Sequence, residues 1–166
     1  GSGSSSSDTA REVEDMESLV DRYYKLQDAV SNVTKALEKN REKQETVKDK
    51  KEYEKLINEE IKLINKEIAA LQNLQAEQEK ERNEIKKTLS NQGFKFDSNG
   101  NISNYATQLK KLTDYANSLT NPDKKESAQA QVRAISELID KYTELEDSTL
   151  PGTSLEIENL KNEIEE

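Results

Sequence analysis

Ile57-Asn58-Glu59-Glu60-Ile61-Lys62-Leu63-Ile64-Asn65-Lys66-Glu67-Ile68-Ala69-Ala70-Leu71 places Ile57, Ile61, Ile64, Ile68 and Leu71 at steps of four, three, four and three. Such steps average close to one helical turn, so the five side chains share a face, while Asn, Glu and Lys between them keep the opposite face wet. The same register runs on through Gln75, Gln78, Arg82, Ile85 and Leu89, and seven of its ten positions from Ile57 to Leu89 are apolar. That is the signature of a helix packing through a narrow seam, with grouped polar positions able to set register or oligomer state.

Upstream the pattern repeats. Thr9-Ala10-Arg11-Glu12 reads as a capping box, and Val13, Met16, Val20, Tyr23, Gln27, Val30, Thr34 and Leu37 succeed it at helical spacing. Between the two seams, Glu38 to Lys55 is almost wholly charged or amide, interrupted by Val47 and Tyr53. A buried stripe is not expected to cross it, although Glu and Lys are good helix formers. Two geometries fit: one helix over 9–90, on the order of 120 Å long, or an antiparallel hairpin turning near 46–51 with arms of roughly 60 Å. The hairpin is preferred because the two seams then satisfy each other.

Composition agrees with thin helices. Hydrophobic residues are 31%, charged residues 36%, and the net charge is -9 with both signs interspersed. This is too little apolar material for a core of ordinary size, and too mixed in charge for disorder. The chain has no Cys, His or Trp, which removes thiol, imidazole and Cys/His zinc chemistry. No apolar run approaches the roughly 20 residues that span a bilayer. The densest basic patch, Lys48 to Lys51, holds Asp49 and reads as a solvated face, so no nucleic-acid partner is expected. Gly1-Ser2-Gly3-Ser4-Ser5-Ser6-Ser7 reads as a flexible linker or tag remnant over 1–8.

The helical pattern stops at Ser90. Gly93-Phe94-Lys95-Phe96-Asp97-Ser98-Asn99-Gly100-Asn101-Ile102-Ser103 predicts a miniature β-hairpin with Phe94, Phe96 and Ile102 on one face. Gly93 fits a helix C-cap, Asp97 to Gly100 a type I turn closed by glycine, and Ser103 the cap of the next helix. That helix carries Tyr105, Leu109, Leu112, Ala116 and Leu119 as its seam. Asn121-Pro122 opens another, with Ala128, Val132, Ile135, Ile139 and Tyr142. Leu150-Pro151-Gly152 is expected to break the chain, and Thr153-Ser154-Leu155-Glu156 to cap a final helix bearing Ile157, Leu160 and Ile164. That last pattern is still running at Glu166, so the chain is expected to be a piece of a longer protein.

The expected fold class is therefore all-α: long amphipathic helices forming a coiled-coil helical hairpin, with a small β-hairpin insert near 93–103 and shorter C-terminal helices. The divisions are a linker at 1–8, the long helices at 9–90, the insert at 91–104, helices at 105–120 and 122–147, and a helix start at 153–166.

Catalysis is not expected. Carboxylate pairs such as Glu59-Glu60 lie on solvated faces, with no cleft to desolvate one member. Counted from Asp97 as a calcium loop, the sixth and twelfth positions hold Ile102 and Gln108 where Gly and Glu are needed. No metal and no cofactor are expected.

The form Gly-Phe-x-Phe-Asp-x-x-Gly-Asn-Ile-x-Asn-Tyr, filled here at every position by Gly93, Phe94, Phe96, Asp97, Gly100, Asn101, Ile102, Asn104 and Tyr105, resembles a recurring element of tail tape measure proteins. These come from long-tailed bacteriophages and from prophages of mostly Gram-positive bacteria. Upstream, Arg22-Tyr23-Tyr24-Lys25-Leu26 is similar to the helix start that precedes the element in that family. Downstream, Leu109 to Leu119 is similar to the family's next helix, so the likeness covers about residues 15 to 147. The resemblance implies a helical ruler in the tail-tube lumen that sets tail length, present in the host cytoplasm during assembly. It also implies self-association through helices, and tail-tube proteins, tail-tip proteins and tail-assembly chaperones as partners. The other reading is a cellular coiled-coil interaction module of a bacterial surface or secretion apparatus.

Overall fold

A computed structural model describes the backbone of residues 2–165 and the side chains of residues 24–165. The fold is all-α. It comprises α1 (Ser2–Thr46), α2 (Lys50–Asn91), α3 (Tyr105–Ser118), α4 (Pro122–Glu144), a π-helical turn (Leu145–Thr149) and α5 (Leu150–Glu165). The chain forms two compact units, one of the residues up to Glu81 together with those from Thr149 onward, the other Arg82–Ser148.

In the first unit, α1 and α2 are separate helices joined through 47–49, not one helix over 9–90. Asp49 opens α2, its carboxylate accepting from Lys51 N at 3.0 Å. Thr34 Oγ1 donates to Glu67 Oε1 at 2.8 Å, Asn40 Nδ2 donates to Leu56 O at 3.1 Å, and Gln44 Nε2 donates to Glu60. Thr34 meets Glu67, whereas Asn40 and Gln44, nearer the end of α1, meet Leu56 and Glu60 nearer the start of α2, so the two helices run in opposite directions. Asn40 is 5% exposed, so burial does continue into the polar stretch beginning at Glu38. The stripe crosses it because an amide that reaches a backbone carbonyl loses little on leaving water.

A third helix completes this unit. Leu37 of α1, Ile64, Ile68, Leu71 and Leu74 of α2, and Ile157 of α5 form one buried cluster, flanked by Leu26, Val30, Leu63, Leu160 and Ile164. Packing on two sides explains why α2 buries Glu67 and Leu74 besides its seam. Of the seam residues, Ile64, Ile68, Leu71, Ile85, Leu89 and Leu37 are buried, Val30 and Ile57 are half-buried, and Ile61 is 43% exposed. Val33 is buried although it lies outside the seam. Val13, Met16, Val20 and Tyr23 lie outside the residues whose side chains are described.

Three expectations are corrected. Helix α1 begins at Ser2, so 1–8 does not form a non-helical linker over Ser2 to Asp8, and Thr9 stands inside the helix instead of capping it. Extending an existing helix adds a bond for every residue ordered, and poor propensity costs only about 1 kcal/mol per residue even for glycine. Second, Leu150-Pro151-Gly152 does not break the chain: the π-helical turn leads straight into α5. Proline is tolerated in a first helical turn, and the Asp147 carbonyl that would meet its ring lies in the π-helical turn. Third, Thr153 is no cap but a buried residue whose Oγ1 donates back to Thr149 O at 3.1 Å.

In the second unit, α3 and α4 pack together. Asn121 opens α4, its Oδ1 accepting from Asp123 N at 3.0 Å and Lys124 N at 3.2 Å, with Pro122 at the first helical position. Its buried apolar and aromatic residues are Ile85, Leu89, Phe94, Ala116, Ile135, Ile139, Tyr142 and Leu145, and Thr88 is buried with them.

Candidate functional site: the insert between α2 and α3

Helix α2 ends in a Schellman cap. Phe94 N donates to Leu89 O at 3.1 Å and Gly93 N to Ser90 O at 3.0 Å, with Gly93 at φ 90°. Leu89 and Phe94, which this cap brings together, are both buried.

No strand forms among the described residues. The expected β-hairpin reduces to one antiparallel bridge, Phe96 with Ile102. Asp97 N donates to Asn101 O at 2.9 Å and Ser103 N to Lys95 O at 2.8 Å, but the return donors of a ladder are taken by polar side chains. Asp97 Oδ1 accepts from Asn99 N and Asn101 N, both at 2.9 Å, and Gly100 N closes the turn onto Asp97 O at 3.1 Å with Gly100 at φ 85°. Asn104 Oδ1 accepts from Lys95 N at 2.8 Å, and its Nδ2 donates to Gly93 O at 3.1 Å. Ser103 Oγ donates to Lys95 O at 3.3 Å. Ser103 is therefore not the cap of α3; that position is held by Asn104, whose side chain faces the insert instead of the helix.

One face of the insert docks on α4. The Tyr142 hydroxyl donates to Gly100 O, and the rings of Phe96 and Tyr142 meet edge-on with centroids 5.2 Å apart. Lys86 Nζ stands 5.2 Å from the Phe96 ring centre, and Arg82 Nη1 pairs with Glu146 Oε1 at 3.3 Å. Phe94 is buried, and Phe96 and Ile102 are half-buried. Tyr105, expected in the core, is 45% exposed because α3 begins there and turns its ring outward.

A cavity of about 300 Å³ lies between the insert and the end of α4, lined by Asn101, Ile102 and Tyr105 on one side and Asp140, Thr143 and Asp147 on the other. Two of its three hydroxyls are committed: Thr143 Oγ1 donates to Ile139 O at 2.9 Å, and Tyr142 to Gly100 O. Asp97 spends its carboxylate on the turn. Among the described residues, no three Asp or Glu side chains gather as a metal site.

Burial pushes the Tyr142 hydroxyl above its ordinary pKa, and the neighbouring Glu146 carboxylate adds to the rise. An unfolded tyrosine ionises near ~10, so stability should be constant below that pH and fall as pH rises from there through the folded value. Melting temperature measured between about pH 8 and 11.5 should show this decline, and Tyr142→Phe should flatten it while costing about 1 kcal/mol at neutral pH for the lost hydrogen bond. An unchanged alkaline slope in that variant would remove Tyr142 as the source.

The motif residues Gly93, Asp97, Gly100 and Asn104 thus meet in one turn-and-clasp arrangement. Its docking partner on α4, Tyr142, lies too far away in sequence for any local spacing to connect it with the insert. Comparison with protein-family models, with curated proteins and with solved structures finds no match to this chain.

Proposed function

We propose that the chain is a non-catalytic structural segment of a phage tail tape measure protein, a helical ruler acting in the tail-tube lumen. The observation that carries this reading is the Gly93–Tyr105 element, complete at every position of the family's form and set between charged helices. A helix converts residue number into distance at about 1.5 Å per residue, which suits a ruler. A charged surface sits in a wet tube at little desolvation cost. In this reading α1 and α2 are the arms of a coiled-coil hairpin, copies self-associate through helices, and tail-tube proteins, tail-tip proteins and assembly chaperones are the partners.

The test is tail length. An in-frame deletion of 122–144 in a phage carrying this gene should shorten tails in electron micrographs by up to about 35 Å, less if the helices count as folded units. Tails of unaltered length would sink the ruler.

One observation favours the second reading, a helical interaction module of a bacterial surface or secretion apparatus. The cluster of Leu37, Ile64, Ile68, Leu71, Leu74 and Ile157 closes three helices on themselves, as a self-contained module would. Neighbouring genes separate the two: tail-tube and chaperone genes support the ruler, while a signal peptide or wall anchor in the full gene supports the module.

A further inference from the structure

The cavity of about 300 Å³ between the insert and the end of α4 lies wholly within the second unit. Ile102 and Ile139 give it an apolar lining, and Tyr105 and Tyr142 add aromatic surface. Ile139 and Tyr142 are buried and held in place, while Tyr105 is 45% exposed and accessible from solvent. Ligand pockets run from about 300 to 1,000 Å³, so this one suits a single side chain better than a nucleotide or a cofactor. Glu146 and Asp147 reach it from the π-helical turn, a form that occurs mostly as single turns and frequently at functional sites.

The charged part of the lining is wholly acidic: Asp140, Glu146 and Asp147, with no Lys or Arg among the described residues that line it. Glu146 is spent on Arg82 at 3.3 Å. Asp140 and Asp147 are exposed and form no salt bridge among the described residues. Asn101 and Tyr105 bring two further oxygens able to accept hydrogen bonds. An anion would meet only like charge there, and no three carboxylates of the described residues gather around a metal ion.

We propose that this cavity receives an arginine side chain displayed by a partner protein. A guanidinium carries five donors in one plane, so its edge can serve the Asp140 and Asp147 carboxylates and the Tyr105 oxygen together. Its faces are weakly hydrated and lie readily against Ile102 and a tyrosine ring. A lysine ammonium has no such faces and surrenders more hydration on entering an apolar lining. The net charge of -9 favours the approach of a basic partner. This inference does not depend on the ruler reading.

The tripeptide alanine–arginine–alanine, blocked at both ends, is titrated into the isotope-labelled chain while backbone amide resonances are followed. It should bind with a dissociation constant on the order of 1 mM and shift amides of the insert and of the end of α4. The same peptide with citrulline, which keeps the shape and loses the charge, or with lysine should bind about tenfold more weakly. Asp140→Asn with Asp147→Asn should weaken arginine binding about tenfold or more, and the variant should melt as the parent does because both positions are exposed. Thr143→Phe keeps every charge but fills the cavity, and should abolish binding, while Glu126→Gln at the other end of α4 should leave it unchanged. The absence of any saturable shift overturns the proposal. So does a Thr143→Phe variant that binds as the parent does, since surface charge alone would then explain the effect. Lysine binding as tightly as arginine, or free arginine binding more tightly than the blocked peptide, overturns it too.

Discussion

Leu71→Ala is expected to lower the free energy of unfolding by about 2–5 kcal/mol, a large part of the 5–15 kcal/mol that holds a typical domain. Leu71 is 2% exposed and sits among residues from three helices, Leu37 of α1, Ile64, Ile68 and Leu74 of α2, and Ile157 of α5. Truncation there leaves a cavity that three rigid helices cannot close together, so the lost transfer energy and the lost contacts add. The control has the same chemistry: Leu155 on α5 is 58% exposed, and Leu155→Ala should cost under about 0.5 kcal/mol. Urea unfolding of both variants, compared by midpoint at constant slope, measures the difference. Equal losses would mean that α5 does not lie on α1 and α2 as described.

That comparison also marks how far local pattern reaches. Steps of three and four in Ile57 to Leu89 imply a helix and an apolar face, because both derive from backbone period alone. They do not say how wide the face is. Width depends on how many partners surround α2, and one of them is α5, far away in the chain; Leu74, off the seam, is buried in the cluster that α5 completes. Asn40 shows the same limit from the other side. In sequence it is one polar residue in a polar stretch, and its reach to the Leu56 carbonyl, with Gln44 Nε2 donating to its Oδ1 at 2.6 Å, makes burial cheap.

The insert was legible at its glycines and illegible in its pairing. Positive φ is a property of single residues, so Gly93 and Gly100 could be placed from their neighbours. Whether strands form depends on competition between the backbone ladder and nearby Asp and Asn, and here Asp97 took the amide of Asn101 and Asn104 that of Lys95. Pro151-Gly152 misled for a related reason: both residues disfavour helix interiors, but the π-helical turn places them at a new helix start.

Gly93→Val should be the most damaging change in the second unit, at about 3–5 kcal/mol. Its φ of 90° strains any side chain by about 1–3 kcal/mol, and most of all a β-branched one. A Cβ there would also collide with the Gln108 carboxamide, whose Cδ would lie 3.0 Å away. Gln108 Nε2 donates to Gln92 O at 2.8 Å, so its displacement orphans a carbonyl at the helix end, at about 1–3 kcal/mol. Gly100→Val has the strain, at φ 85°, but its Cβ meets only side-chain ends, Glu146 Oε2 at 3.4 Å and Tyr142 Oη at 3.5 Å. About 1–3 kcal/mol is expected there. Gly152→Ala should instead stabilise by about 0.5 kcal/mol, since nothing lies within 4 Å and the residue is helical. Thermal melts of the three variants should therefore rank Gly93 below Gly100, and Gly152 above the parent. Gln108→Ala added to Gly93→Val separates strain from collision: that second truncation should cost less than it does alone if the collision is real. Additive losses would assign the whole effect to φ.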